Sequence, residues 1–327
     1  MTLLGMPAVP ARPRKPLGDG SISFTPGHHF ALAGTSTDHV GELAAASHAP
    51  LSVIVQVTKR CDFDCSFCSE TLQMKDPSLE QLKVMATNLA GVHRVFLSGG
   101  EPLLRRDLSE VVDVFDGFII GLPTNATRGM DLAPELAGRI EFANIGFDGP
   151  REIFRRVRGD YDKVLSGVQA FHRAGIPISF SAVVLRSTLH GLPYLVQIAD
   201  VLGAGKVKLI LPLRKGNALD LPEHEFITVE EATDHFHRLV ELRTTHDWAP
   251  AVRMTPWTER TEGHMIVIEP NGNTNAWPVY DRPDLWLPLG NILQEPITAL
   301  WERYPYKENH YAKYLGSSIL TQDRAIR

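Results

Sequence analysis

From Leu51 onward, short apolar runs rich in β-branched residues alternate with longer amphipathic stretches. A run of period two or of continuous Val, Ile and Leu predicts a strand, and apolar spacing of three and four predicts a helix. On this pattern strand 51–57 precedes a helix near 78–90, strand 94–98 a helix near 107–115, and strand 118–122 a helix near 131–137. Strand 141–147 precedes helix 161–174, strand 177–185 precedes helix 193–202, and strand 206–212 closes the series. The stretch between 147 and 161 carries Arg151, Arg155, Arg156 and Arg158 and is expected to be a loop. Six strand-helix units in a row predict an α/β fold, a partial (β/α)6 barrel of parallel strands with its chemistry at their carboxyl ends. Beyond Leu221 the alternation stops. A helix near 229–245, a Trp/Pro-rich segment, a strand and turn at 265–273 and an amphipathic stretch ending in Trp301 predict a small C-terminal α+β cap. The expected division is an N-terminal arm over 1–50, extended with a short strand, the barrel over 51–220, and helix plus cap over 221–327.

Composition narrows the class without naming it. Forty-three percent apolar residues in 327 suffice for a large core, and a net charge of −5 gives no electrostatic footprint for nucleic acid. No apolar run reaches membrane-spanning length and no signal peptide is apparent, so a cytoplasmic protein is expected.

The cysteines change the picture. All three, Cys61, Cys65 and Cys68, lie in one Cys-x3-Cys-x2-Cys loop directly after the first barrel strand. Thiolates are soft ligands for iron-sulfur clusters and for zinc. Three of them leave one iron of a four-iron cubane open, whereas structural zinc wants a fourth protein ligand. The flanking histidines, His48 and His93, are distant in sequence, which leaves a zinc-binding regulatory protein as the rival reading.

Phe67 stands before the last cysteine, and the second strand runs into Gly99-Gly100-Glu101-Pro102. In these two motifs the chain resembles the radical S-adenosylmethionine (radical SAM) enzymes. The resemblance implies a 4Fe-4S cluster on Cys61, Cys65 and Cys68, S-adenosylmethionine on its open iron, and a reductant of the flavodoxin or ferredoxin type. It also implies cofactor contacts from Phe67, Gly99, Gly100 and Glu101, and from Thr124 and Asn125, where relatives show Thr-Asn-Gly. Arg158-Gly159 resembles an Arg-Gly that approaches the methionine carboxylate. Gly146-Phe147-Asp148-Gly149 stands where relatives show Ser-x-Asp-Gly, so the serine hydroxyl is missing here.

Residues 264–305, with Pro270-Asn271-Gly272 and Gly290-Asn291-Ile292, resemble the SPASM or twitch extension, but Ala276-Trp277 replaces its first cluster cysteine. Without that electron sink a redox-neutral decarboxylation or elimination is favoured. Glu70, Arg214, Asn217, Trp277 and Tyr280 are candidate substrate contacts, and the cations near strand ends suit a small anionic substrate, a sugar acid or nucleoside as in cytosylglucuronate-decarboxylase-like enzymes of antibiotic biosynthesis. Peptide modification is the alternative within the same family. The ligand set makes a direct prediction: anaerobic reconstitution should bind about four irons per chain. Alanine at any one of the three cysteines should abolish reductive cleavage of S-adenosylmethionine, and near-normal cleavage in two of the three variants would overturn the assignment.

Overall fold

The computed structural model describes residues 40–255, 265–276 and 287–315, together with the backbone of short strands at 15–17, 22–24, 30–32 and 320–321. Within the segment expected as an arm with a short strand, strands β1 (Lys15–Leu17), β2 (Ile22–Phe24) and β3 (Phe30–Leu32) pair antiparallel, and helix α1 (Val40–Ala46) follows.

The barrel then follows the predicted alternation. Its elements are β4 (Ser52–Thr58), α2 (Leu79–Asn88), β5 (Arg94–Gly99), α3 (Leu108–Val114), β6 (Ile119–Thr124), α4 (Gly129–Leu136) and β7 (Phe142–Gly146). After them come α5 (Arg151–Val157), α6 (Tyr161–Arg173), β8 (Ile178–Val183), α7 (Leu192–Val201), β9 (Lys206–Ile210), α8 (Val229–Thr245) and β10 (Ala251–Thr255). Helix starts carry their expected caps. Ser78 and Gln81 form a capping box at α2, Thr228 and Glu231 form one at α8, and Asp160 accepts the Asp162 and Lys163 amides at α6.

Two elements differ from expectation. The arginine-rich stretch is helix α5, because Ile153, Phe154 and Val157 fall on one buried face while Arg151, Arg155 and Arg156 point outward. Strand β10 extends the parallel series past β9, with Arg253 level with Lys208.

The C-terminal strands β11 (Ile266–Ile268), β12 (Asn273–Ala276) and β13 (Leu287–Asn291) continue the same sheet on its other side, β11 pairing parallel to β4. Helices α9 (Ile297–Glu302) and α10 (Lys307–Tyr314) follow, and β14 (Leu320–Thr321) pairs antiparallel to β10. The strand order is β13-β12-β11-β4-β5-β6-β7-β8-β9-β10-β14.

Alternate residues along each strand face opposite sides. Val53, Val55, Val57, Val95, Leu97, Val207 and Leu209 are essentially inaccessible and pack against the surrounding helices. Their alternates point into the barrel, where Ile54, Phe96, Phe142 and Ile210 are joined by many polar residues: Gln56, Ser98, Asn144, Ser179 and Ser181, with Arg94, Lys206 and Lys208 nearer the strand starts. A sheet buried on both faces normally reads as continuous hydrophobic runs. The polar inner face therefore marks a working interior.

Helix α10 closes the lower end. His310 accepts the Ser52 amide at 3.4 Å, Tyr314 lies 4.9 Å under the Arg94 guanidinium, and Trp301 donates to the Ser47 carbonyl at 3.1 Å. At the upper end an aromatic cluster carries α5. Phe147 stacks on Phe180 at 4.9 Å and meets Phe154 at 5.2 Å and Tyr161 at 5.4 Å. Because Phe147 is completely buried, Phe147→Ala should cost about 3–5 kcal/mol, read as a lower urea midpoint at unchanged slope.

Candidate active site

Strand β4 delivers the cysteine loop to the carboxyl end of the sheet, and several separate elements hold it there. Ser66 donates its amide to the Val157 carbonyl at the end of α5 (3.1 Å), and the Phe63 ring meets Phe154 edge-on at 6.5 Å. Asn217, expected as a substrate contact, lines the cavity and also tethers the loop: its amide reaches the Cys68 carbonyl at 2.9 Å, and its side chain donates to Asp64 and to the Cys65 carbonyl. Asp62 accepts from the Asn125 side chain and from the Thr127 hydroxyl, both at 2.7 Å, tying the loop to the end of β6. Burial pushes the thiols up, Cys61 to about 11 and Cys65 to about 12, and raises Cys68 as well. Their conversion to thiolates thus belongs to metal binding, which must displace the protons.

The Gly99-Gly100 turn lies directly on the strand that feeds this loop. The Gly100 amide donates to the Thr58 carbonyl (2.9 Å) and the Glu101 amide to the Arg60 carbonyl (2.8 Å). A Cβ on Gly99, whose φ is +144°, would stand 1.8 Å from the Thr58 oxygen, and one on Gly100 would stand 2.3 Å from the Arg60 oxygen. Only glycine fits.

Glu101 is 1% exposed and bridges two strand ends. One carboxylate oxygen accepts from the Leu103 amide (2.9 Å) and the Thr124 hydroxyl (2.7 Å), the other from the Asn125 amide (2.5 Å). Burial raises its pKa to about 7 against the pull of these donors. Residue 126, where the resemblance expects glycine, is an alanine in the left-handed region at φ +62°, its amide held by the Thr124 hydroxyl at 2.9 Å.

The thiols and the turn border one cavity of about 470 Å³, lined also by Phe67, Thr124, Asn125, Arg158, Glu70 and Asn217. Arg158 lies 5.0 Å over the Phe67 ring and is held by Asp148 through Nε at 2.5 Å, while Asp148 accepts the Val183 amide. The missing serine at position 146 has a steric counterpart, since a Cβ there would stand 2.4 Å from the Arg158 guanidinium.

Glu70 is enclosed by cations. It accepts from Lys59 at 2.5 Å, Lys215 at 3.0 Å and the Gln56 amide at 2.9 Å. Burial pushes its pKa up, but the two ammonium groups pull harder and it lies below the ordinary value.

Arg214 does not line the cavity. Its guanidinium is bidentate with Glu223 at 2.6 Å and sits 3.8 Å from the Phe226 ring centre. Trp277 and Tyr280 lie outside the described residues. Sequence reasoning missed the tethering carboxylates Asp62 and Asp148, whose partners are distant in the chain. For Asp62 the only local signal was its place inside the cysteine loop.

Among the described residues no three Cys, His, Asp or Glu side chains are arranged around one metal ion. Three thiols bordering a wider space suit a cluster whose irons each take one thiolate. The turn, Glu101 and Arg158 offer a carboxylate, backbone groups and a cation to a bound amino acid. The residues present fit both cofactors. Gly100→Ala should therefore cut iron incorporation severalfold together with S-adenosylmethionine binding, whereas Glu101→Gln should leave the iron count intact and weaken cofactor binding by about 1.5–3 kcal/mol. Equal iron content in both variants would argue against the Gly100 contact as a support of the loop.

Comparison with known proteins agrees with this geometry. Residues 55–193 match the Radical SAM superfamily. The chain is 33% identical over 177 residues to the probable GTP 3',8-cyclase of Methanopyrus kandleri, covering 50% of this chain and 57% of that protein. It is 31% identical over 185 residues to the PqqA peptide cyclase of Rhodopseudomonas palustris, covering 52% and 48%. It spans about half the length of the curated relatives it matches. In fold it is similar to Streptococcus suis SuiB bound to precursor peptide SuiA (TM-score 0.66, 13% identity, 82% of this chain and 69% of that one). It is also similar to anSMEcpe with bound AdoMet and the Cp18Cys peptide (TM-score 0.62, 17% identity, 81% and 84%). The family uses a 4Fe-4S cluster and S-adenosylmethionine. With the cysteine loop and the glycine turn on one cavity inside the matched segment, residues 55–193 of this chain form a domain of the Radical SAM superfamily.

Proposed function

We propose that this radical SAM enzyme abstracts hydrogen from a small anionic molecule, nucleoside-like or a sugar acid, and resolves the substrate radical without net oxidation by decarboxylation or elimination. The observation that carries this reading is the Lys59–Glu70–Lys215 cluster, in which two ammonium groups meet one carboxylate at the edge of the cavity that the thiols border. An anion entering the cavity beside Lys59 would meet a cation that is already dehydrated, its side chain 2% exposed, and so at low desolvation cost.

When bound, the cluster and S-adenosylmethionine would supply the hydrogen-abstracting radical. Cys61, Cys65 and Cys68 would hold the cluster, and the Gly99–Glu101 turn with Arg158 would orient the methionine moiety. Phe63 and Phe67 wall off water on the loop side. Lys59, its side chain 2% exposed, would hold the substrate anion and donate a proton; after loss of water that proton and one electron from the external reductant close the balance, and after loss of carbon dioxide a second proton is taken up with them.

Similarity to the GTP 3',8-cyclases supports an anionic nucleoside-like substrate. A peptide substrate is the second reading. It is favoured by the likeness to PqqA peptide cyclase and by the separate β1-β2-β3 sheet, whose outer strands each have a free edge among the described residues. Nucleotides and sugar acids offered with S-adenosylmethionine and dithionite should raise 5'-deoxyadenosine formation at least tenfold, and deuterium on the abstracted carbon should appear in it. Stimulation by peptides alone would replace the first reading with the second.

A further inference from the structure

Deeper in the barrel lies a second set of cations that the cofactor cavity does not use. On β9 the buried Val207 and Leu209 face the helices, so Lys206 and Lys208 face inward with Ile210, which lines the cavity. On β5 the same alternation places Arg94 inward, in line with the cavity residue Ser98. Lys313 rises from α10, the helix beneath the barrel, and is 4% exposed, as is Arg94. These side chains are close enough to act on one another. Burial and then the neighbouring cations push Lys206 down to about 7 and Lys208, beside Arg94, to about 8, and Lys313 is lowered by burial and by Lys208 and Arg94.

Among the described residues no carboxylate is ion-paired with Lys206, Lys208 or Lys313, and no carboxylate offsets their mutual repulsion. Lys206 and Lys208 face inward yet keep partial accessibility, so neither side chain is fully packed over. Arg94 is itself fixed, its Nε on the Ser52 hydroxyl at 3.1 Å and its plane between Phe96 and Tyr314. A fixed guanidinium with lysines around it is a receptor geometry.

We propose that Arg94, Lys206, Lys208 and Lys313 form an anion subsite for the phosphate or pyrophosphate group of the substrate, at the closed end of the barrel below the cofactor cavity. Three lysines whose charge is suppressed by burial and mutual repulsion, with no carboxylate partner among the described residues, are better matched by the multiple charge of a phosphate or pyrophosphate than by a lone carboxylate. Distance sets the substrate's length. From Ile210 to Lys206 is four residues of strand, about 13 Å at the usual rise, so the reacting carbon and the anion sit at opposite ends of a molecule of nucleotide size. The inference rests on the proposed small anionic substrate and narrows it from sugar acids to phosphate esters.

The test reads binding without turnover, and so stands apart from the choice of reaction. The full reconstituted chain, with no reductant, is titrated calorimetrically with inorganic pyrophosphate and with GTP, and its melting temperature is recorded with and without them. Saturable binding and a raised melting temperature are expected. Lys206→Met and Lys208→Met should each weaken pyrophosphate binding at least tenfold while melting, ligand-free, no lower than the parent chain, because each removes a repelled charge. No pyrophosphate binding by the parent chain, or variants that melt lower and bind as before, would show that these lysines are structural and overturn the subsite. If pyrophosphate binds as expected while only peptides stimulate 5'-deoxyadenosine formation, the subsite stands and the substrate reading falls.

Discussion

The backbone of Gly99 and Gly100 lies against that of Thr58–Arg60 with no room for a side chain between them, and the placement of the cysteine loop and of Glu101 follows from that contact. Two backbone hydrogen bonds hold it, Gly100 to Thr58 and Glu101 to Arg60. They set how far the cysteine loop leaves the sheet and in which direction. Glu101 then carries the constraint across to Thr124 and Asn125, and Asn125 returns it to the loop through Asp62. The circuit of strand β4, the glycine turn, the end of β6 and the loop is closed by short polar contacts, each holding a backbone that has no secondary structure of its own to rely on.

The barrel wall has two unlike faces. Outside, Val, Leu and Ile pack against helices at full burial and provide the stability. Inside, the alternate positions carry Gln56, Ser98, Asn144 and Ser181, and below them lysines and an arginine, none of which stabilises a fold by being buried. Polar residues in such number inside a sheet are held in place at the expense of stability, and the outer face offsets that cost.

Much of this was legible in the chain. The strand-helix alternation, the cysteine loop and the glycine turn each carry their signal within a few residues, because strand period, ligand spacing and steric need for glycine are local properties. Helix α5 was hidden by its arginines, although Ile153, Phe154 and Val157 have helical spacing. Strand β10, Ala251–Thr255, lies just after Pro250 and reads as loop until β9 is seen to pair with it. The pairing of β11 with β4 joins residues more than two hundred positions apart and leaves no local trace. Lys206 and Lys208 mislead in a different way: alternating lysines in a strand ordinarily mean a solvated face, and only closure of the sheet turns that face inward. Asp62, Asp148 and Asn217 act through partners that only the fold brings near, so their tethering role is invisible in one dimension.

Glu101 adds a dynamic consequence. A buried carboxyl with a pKa of about 7 is divided between charged and neutral forms near neutrality, and the neutral form is the weaker acceptor for the Leu103 and Asn125 amides. A positively charged ligand that fixes the charged form strengthens both bonds at once. Those two amides, on segments that this carboxylate bridges, would then open more rarely and exchange their protons with solvent more slowly. The rate at which they trade hydrogen for deuterium becomes a clock for occupancy, kept by two residues that need not touch the ligand.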